Sequence, residues 1–320
     1  MNTKALLQKP CYDFMRTNPD LQNVIYLTLS GSHGYGTNNE NSDVDLRGCL
    51  LEDRKYLFGL HGFEQFEDTP SDTVIYGLKK FVKLCADGNP NTLELLGTDE
   101  SDIVVMTEKG RILCENTDLF LSKRVINSFG NYATAQLRRL QNALCHDTLD
   151  EQNRLMHLRN TLNAQLEHFK RMYTTFDNGA IKIYDVGNVL RFDVKLENYP
   201  VNDFVGIYSE LSNTVKAYNK LNHRNNKKDD AHLYKHAMHL IRLLITGTDI
   251  LNSKGIITKR KHEHDFLMDL RNGKYSFDEI FKLTDEYQVV FEKAAAGTCL
   301  PQEPDMARVE MLLMALYGSA

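Results

Sequence analysis

The chain has 320 residues, enough for two ordinary domains, and its 42% hydrophobic and 25% charged content is that of a soluble globular protein. A formal net charge of −5 argues against a generally basic coat for nucleic acid, while leaving room for a local basic groove. The first ten residues lack the apolar stretch of a leader, no run approaches bilayer length, and the six cysteines are scattered without a C-x-x-C pair, so a cytoplasmic protein with reduced thiols is expected.

In chain order, Val24 to Leu29 is a compact apolar run that predicts a buried strand stopped by the Ser30-Gly31-Ser32 turn. Val44 to Leu51 predicts a second strand, and Glu64 to Asp68 and Asp72 to Tyr76 two more around a Thr69-Pro70-Ser71 break. Leu78 to Cys85 has helical spacing and stops at Asp87-Gly88-Asn89-Pro90. A further helix should follow, with Asn91 as its N-cap and Glu94 completing a capping box. From about Ser122 the pattern is helical: 132–144, 152–173, 204–221, 233–251 and 277–296, and a last helix over 306–317 capped by Asp305. Residues 180–184 and 189–196 interrupt it as a hairpin around Val186-Gly187-Asn188. The expected fold class is α+β, a small mixed β-sheet domain over 1–120 followed by a mainly helical domain over 121–320.

Ser42-Asp43-Val44-Asp45 opens the second strand shortly after Ser30-Gly31-Ser32-His33-Gly34-Tyr35-Gly36. Carboxylates at alternate strand positions share one side and repel unless a cation lies between them, and a hard ion such as Mg²⁺ (or Mn²⁺) suits oxygen ligands. The Gly-Ser turn offers backbone N–H groups and a hydroxyl to phosphate oxygens. Metal carboxylates beside a phosphate-holding turn point to nucleotidyl transfer.

From Ser30 to Leu46 the chain resembles the DNA polymerase beta-type nucleotidyltransferase superfamily, whose signature is Gly-Ser, a short helix and (Ser/Asp)-Asp-x-Asp on a strand. Residues 72–81, 88–96 and 235–244 are similar to a bacterial and phage group of nucleotidyltransferases linked by name to RNA repair. The resemblance implies Asp43 and Asp45 as catalytic metal ligands and a third carboxylate from a neighbouring strand. Asp72 is the choice for that third ligand, with Asp68 and Glu67 as alternatives and a turn role as the bland reading of Asp72. Gly31 and Ser32 would bind the nucleotide phosphates; His33 reads either as a charge neutraliser for pyrophosphate or as a capping and packing residue. Lys235, His239 and Arg242 fall on one helix face, either as a nucleotide-binding row or as an exposed polar stripe.

Arg138-Arg139 and residues 223–228 are local basic clusters, the second followed by Asp229-Asp230 and so read as a solvated loop. His262, Glu263 and His264 lack the helical spacing of a zinc site. The expected activity is metal-dependent transfer of a nucleoside monophosphate, with ATP-type substrates in view, to a hydroxyl on an RNA (tRNA) end, a small molecule or a protein. The alternatives are a catalytically silent nucleotide- or RNA-binding module and a metal-dependent phosphodiesterase.

Overall fold

Alternation along Asp45-Leu46-Arg47-Gly48-Cys49-Leu50 decides how the sheet is built: Leu46 and Leu50 are buried in the core, while Asp45 and Arg47, half-buried, take the other face. The structure is a computed structural model that describes residues 3–146, 151–173, 176, 179–187, 189–221 and 230–318. After two short helices, α1 (Thr3–Leu6) and α2 (Phe14–Thr17), comes β1 (Val24–Ser30), then α3 (Gly31–Tyr35), β2 (Asp45–Leu50) and α4 (Arg54–Phe58). The hairpin β3 (Gln65–Asp68) and β4 (Thr73–Gly77) leads into α5 (Leu78–Ala86), α6 (Pro90–Leu96), β5 (Ile103–Met106) and α7 (Glu108–Glu115).

The five strands form one mixed sheet in the order β3-β4-β2-β1-β5. β1 runs antiparallel to β2 and β5, β3 antiparallel to β4, and β2 parallel to β4. Leu27 and Leu29 on β1, Leu46 and Leu50 on β2, and Ile75 on β4 pack with Leu6, Tyr12 and Leu21 of the N-terminal segment in one core cluster.

The remaining elements are α8 (Arg124–His146), α9 (Glu151–Met172), β6 (Ile181–Val186), β7 (Val189–Val194), α10 (Val201–Leu221), α11 (Asp230–Leu251), α12 (His264–Arg271), α13 (Phe277–Gly297) and α14 (Met306–Gly318). The mixed sheet near the N-terminus and the mainly helical remainder are those expected, as is the β6–β7 hairpin. Asp305 accepts from the Arg308 N–H at 3.2 Å and so caps α14.

Two local expectations are corrected. The strand β5 was not foreseen, being only four residues at a sheet edge. The N-cap of α6 is Asn89 rather than Asn91: its side chain accepts from the Asn91 N–H at 2.9 Å with Pro90 in the first turn, where the missing proline N–H costs nothing. Glu94 is therefore not part of a capping box; its carboxylate is buried and turned to other partners described below.

Compactness divides the chain into Met1–Thr134 with Ala237–Ala320, and Ala135–His236, a different division from 1–120 and 121–320. The physical reason is that the C-terminal helices return to the sheet. The carboxylate of buried Glu52, just past β2, accepts from the Leu78 and Lys79 N–H groups at the start of α5 at 2.9 and 3.2 Å, and also from the Tyr317 hydroxyl of α14. A carboxylate at a helix N-terminus is favourable, and burial together with Glu52 pushes the Tyr317 phenol up.

In the unit 135–236, Leu166, Phe169, Phe176, Ala180, Ile181 and Ile207 form a core of their own. Arg138 pairs with Glu210 at 2.8 Å, so of the first basic cluster Arg139 is the exposed member. The cluster at 223–228 lies outside the described residues. Cys11, Cys49, Cys85, Cys114 and Cys299 are free thiols. Among the described residues no helix is long and apolar enough to cross a membrane.

Candidate functional site

β1 ends at Ser30, which pairs across to Asp45 at the start of β2, and the chain between them makes the short helix α3. Gly36 stops that helix in the left-handed region at φ 73°, where glycine carries no Cβ penalty. Gly31 is more tightly constrained. Its φ is +57°, and a Cβ there would sit 1.9 Å from Oδ2 of Asp45. The Asp45 carboxylate occupies the place a Cβ would take, so only glycine lets the backbone pass against it here.

This makes a sharp local prediction. Gly31→Ala is expected to lose about 1–3 kcal/mol from left-handed strain and the displaced carboxylate, read by urea unfolding. Gly62→Ala, where a Cβ meets nothing within 4 Å, serves as the near-neutral control.

Asp45 lines a cleft of about 350 Å³ together with Gly31, Arg47, Tyr76, Asn91 and Thr258. Asp43 is exposed and precedes the strand rather than lying on it, and it borders a second cleft of about 570 Å³ that also includes Asp72. Val74 lines both. Asp72 sits in the β3–β4 turn with φ 43°. Arg47 donates to its carboxylate at 2.6 Å and also to its carbonyl oxygen. The parallel pairing of β2 and β4 puts Leu46 opposite Thr73, which brings the Asp72 backbone beside the Asp45 end of β2.

Among the described residues, no three His, Cys, Asp or Glu side chains gather to hold a metal ion. Asp43, Asp45 and Asp72 are therefore not drawn together as one three-carboxylate centre, and Asp72 is engaged by Arg47. Asp43 and Asp45 are oxygen donors that border neighbouring clefts, a donor set that fits a hard cation completing its shell from phosphate and water.

Ser32 is buried, and its carbonyl accepts from the Thr37 N–H at 2.8 Å. His33 places Nε2 3.4 Å from the Ser42 carbonyl oxygen, which ties α3 to the segment carrying Asp43. Arg271 of α12 donates to the Thr37 carbonyl and, at 3.2 Å, to the Ser42 hydroxyl, so that segment is braced from a second side.

The expected row on α11 separates by burial. Lys235 is exposed and belongs to the unit 135–236. His239 stacks edge-on against Tyr35 with ring centroids 5.7 Å apart. Arg242 is only 2% exposed; its guanidinium pairs with Glu94 and lies 3.5 Å from the centre of the Tyr35 ring. Tyr35 in turn donates to Glu94 at 3.2 Å, and burial first, then the Glu94 carboxylate, pushes its phenol up. In this arrangement Arg242 is a packing partner of α3 rather than a group open to a triphosphate.

Sequence reasoning did not single out Arg47 or Arg271. Only Arg47 carried a local signal, since it lies two residues from Asp45 on a strand and so shares its face.

Residues 13–165 match the model of the family described as RlaP, an RNA repair pathway DNA polymerase beta family. No curated protein and no solved structure matches the chain.

Proposed function

We propose, from the premise that residues 13–165 carry a polymerase beta-type nucleotidyltransferase segment of the RNA repair group, that this chain transfers a nucleoside monophosphate from a nucleoside triphosphate to a hydroxyl acceptor, an RNA end such as that of tRNA. The observation that carries the reading is the approach of Gly31 to Asp45: a carboxylate and a bare glycine meet at one strand end, and both line a cleft of about 350 Å³.

Asp43 and Asp45 would hold Mg²⁺ or Mn²⁺, which when bound neutralises triphosphate charge and orients the α-phosphorus. Gly31 lets the phosphate chain lie against the backbone, and the Ser32 N–H donates to it. Arg47 lines the same cleft with its guanidinium held by the Asp72 carboxylate and carbonyl, and brings positive charge to it. In the reaction the acceptor oxygen bonds to the α-phosphorus as the bond from that phosphorus to the bridging oxygen breaks. Pyrophosphate leaves with the electron pair, and the acceptor proton passes to a carboxylate or water.

One observation favours a second reading, a silent nucleotide- or RNA-binding module: Asp72, the expected third ligand, is held by Arg47. The two are separated by incubating the protein and Mg²⁺ or Mn²⁺ with each α-labelled triphosphate and total RNA. Label in RNA with release of pyrophosphate is the expected result. Label in the protein fraction would move the acceptor to a side chain. No labelled product in any fraction would leave the binding module.

A further inference from the structure

Among the described residues, the buried and half-buried arginines have carboxylate partners, with one exception. Arg47, Arg124, Arg138, Arg159, Arg242 and Arg260 each pair with an Asp or Glu. Arg271, half-buried in the last turn of α12, pairs with none and donates only to neutral oxygens. Burial draws its pKa down, with no carboxylate to hold it up. Desolvating a charge without an ion pair is costly, so the groups that this guanidinium does bond are informative.

They are the Thr37 carbonyl and, at 3.2 Å, the Ser42 hydroxyl, the two ends of the loop 37–42 between α3 and the motif aspartates. Thr37 is fully buried, and its N–H donates to the Ser32 carbonyl at 2.8 Å, which ties the near end to the glycine turn. At the far end the Ser42 hydroxyl donates to Asn39 Oδ1 at 3.0 Å and accepts from the Asn39 N–H at 2.9 Å. Asp43 follows at once. It is exposed and lies ahead of the paired residues of β2, so strand pairing does not fix it. Among the described residues no cation pairs with its carboxylate. Arg47 shows the contrast, since it pairs directly with Asp72 and occupies that carboxylate. Arg271 grips the residue before Asp43 instead.

We propose that Arg271 is a positioning residue for the metal site: by bonding both ends of the loop 37–42 it sets where Asp43 stands, and it leaves that carboxylate to the ion. The proposal rests on the metal-dependent reading above and adds the residue on which the metal affinity depends. A planar guanidinium reaches two acceptors at once, whereas an ammonium is a single point of charge. Groups that orient a metal ligand are worth about 10- to 100-fold in metal affinity. The sign of the effect is decisive. By Coulomb's law alone, a cation beside Asp43 weakens the hold on a second cation, so its loss would tighten metal binding. A positioning role predicts the reverse.

The test reads metal binding and needs no turnover. Mn²⁺ is titrated into the full chain without triphosphate, and the free ion is followed by electron paramagnetic resonance. Loss of binding in Asp45→Asn locates the signal at this corner. Arg271→Met is expected to raise the dissociation constant by about 10-fold or more, with Arg271→Lys recovering only part. Ser42→Ala should raise it by about 3-fold, the loss of one hydrogen bond. Binding that is unchanged or tighter in Arg271→Met, or fully restored by lysine, overturns the assignment. So does a raised KM for triphosphate at unchanged Mn²⁺ affinity, which would make Arg271 a phosphate contact. A melting curve accompanies each variant. Where Arg271→Met does not fold, Ser42→Ala decides, and an affinity equal to the parent's overturns the assignment. A parent chain that binds no Mn²⁺ removes the metal reading and the assignment together. Failure of the transfer reading alone looks different: Mn²⁺ affinity falls in the variants while no label moves from any triphosphate.

Discussion

Asp45→Asn is expected to abolish nucleotidyl transfer, lowering turnover by about 10³-fold or more, which corresponds to about 4 kcal/mol of lost barrier reduction. The substitution keeps the shape of the side chain. The Ser30–Asp45 pairing and the Gly31 approach depend on backbone and on size rather than on charge. The melting temperature should therefore hold. Asp43→Asn should give a loss in the same direction from an exposed position where the fold has little at stake. Asp72→Asn is the informative contrast. If Asp72 serves chiefly to hold Arg47, its amide retains an acceptor for that guanidinium and activity falls much less than for Asp45→Asn. The measurement is single-turnover label transfer beside a melting curve. Full activity in the Asp45→Asn chain with its fold intact would remove the carboxylate mechanism.

What could be seen in the sequence was what depends on near neighbours. Val24 to Ser30, the glycine turn and Asp45 lie within about twenty residues, and strand alternation fixes which way Asp45 faces. Arg47 follows from that same alternation. The cap of α6 slipped by two residues because the proline rule and the capping-box pattern competed over Asn89-Pro90-Asn91, and proline's fixed φ won. Asp72 resists a local reading, since both a strand start and a left-handed turn residue follow naturally after Pro70-Ser71. The partners of Glu94 and Glu52 are set by packing between segments far apart in the chain, on which spacing has no bearing. The division into units is the same case: bonds such as that from the Lys123 N–H to the Pro301 carbonyl at 2.8 Å join segments far apart in the chain.

The contact of greatest structural consequence is between residues 148 positions apart, Arg242 and Glu94. Both side chains are about 3% exposed, so removal of one leaves the other charged and buried. Arg242→Met is expected to destabilise the chain by about 3–5 kcal/mol, far more than a surface ion pair contributes, because the Glu94 carboxylate loses its charged partner and keeps the neutral Tyr35 hydroxyl as a donor. Arg242→Lys should recover part of this, since an ammonium supplies charge but neither the planar fork nor the flat stacking face over Tyr35. The double change Arg242→Met with Glu94→Leu should be more stable than Arg242→Met alone, as removing both charges removes the uncompensated one. Burial makes these differences nearly independent of salt, and urea unfolding at 0.1 and 1 M salt checks that. The phenol gives a second reading. Tyr35 has its pKa raised in the fold, so its share of stability is complete below about pH 10, the ordinary phenol range, and is lost as pH climbs through the raised value. Because Tyr35 closes the helix that Gly31 opens, loosening it shifts the glycine against Asp45. Transfer by Arg242→Met should therefore fall even at temperatures where the chain stays folded, by about 100-fold for a displacement on the order of 1 Å. An Arg242→Met chain that melts like the parent would show that the buried pair adds nothing net, and undiminished transfer in a folded variant would cut the link from α11 to the Asp45 corner.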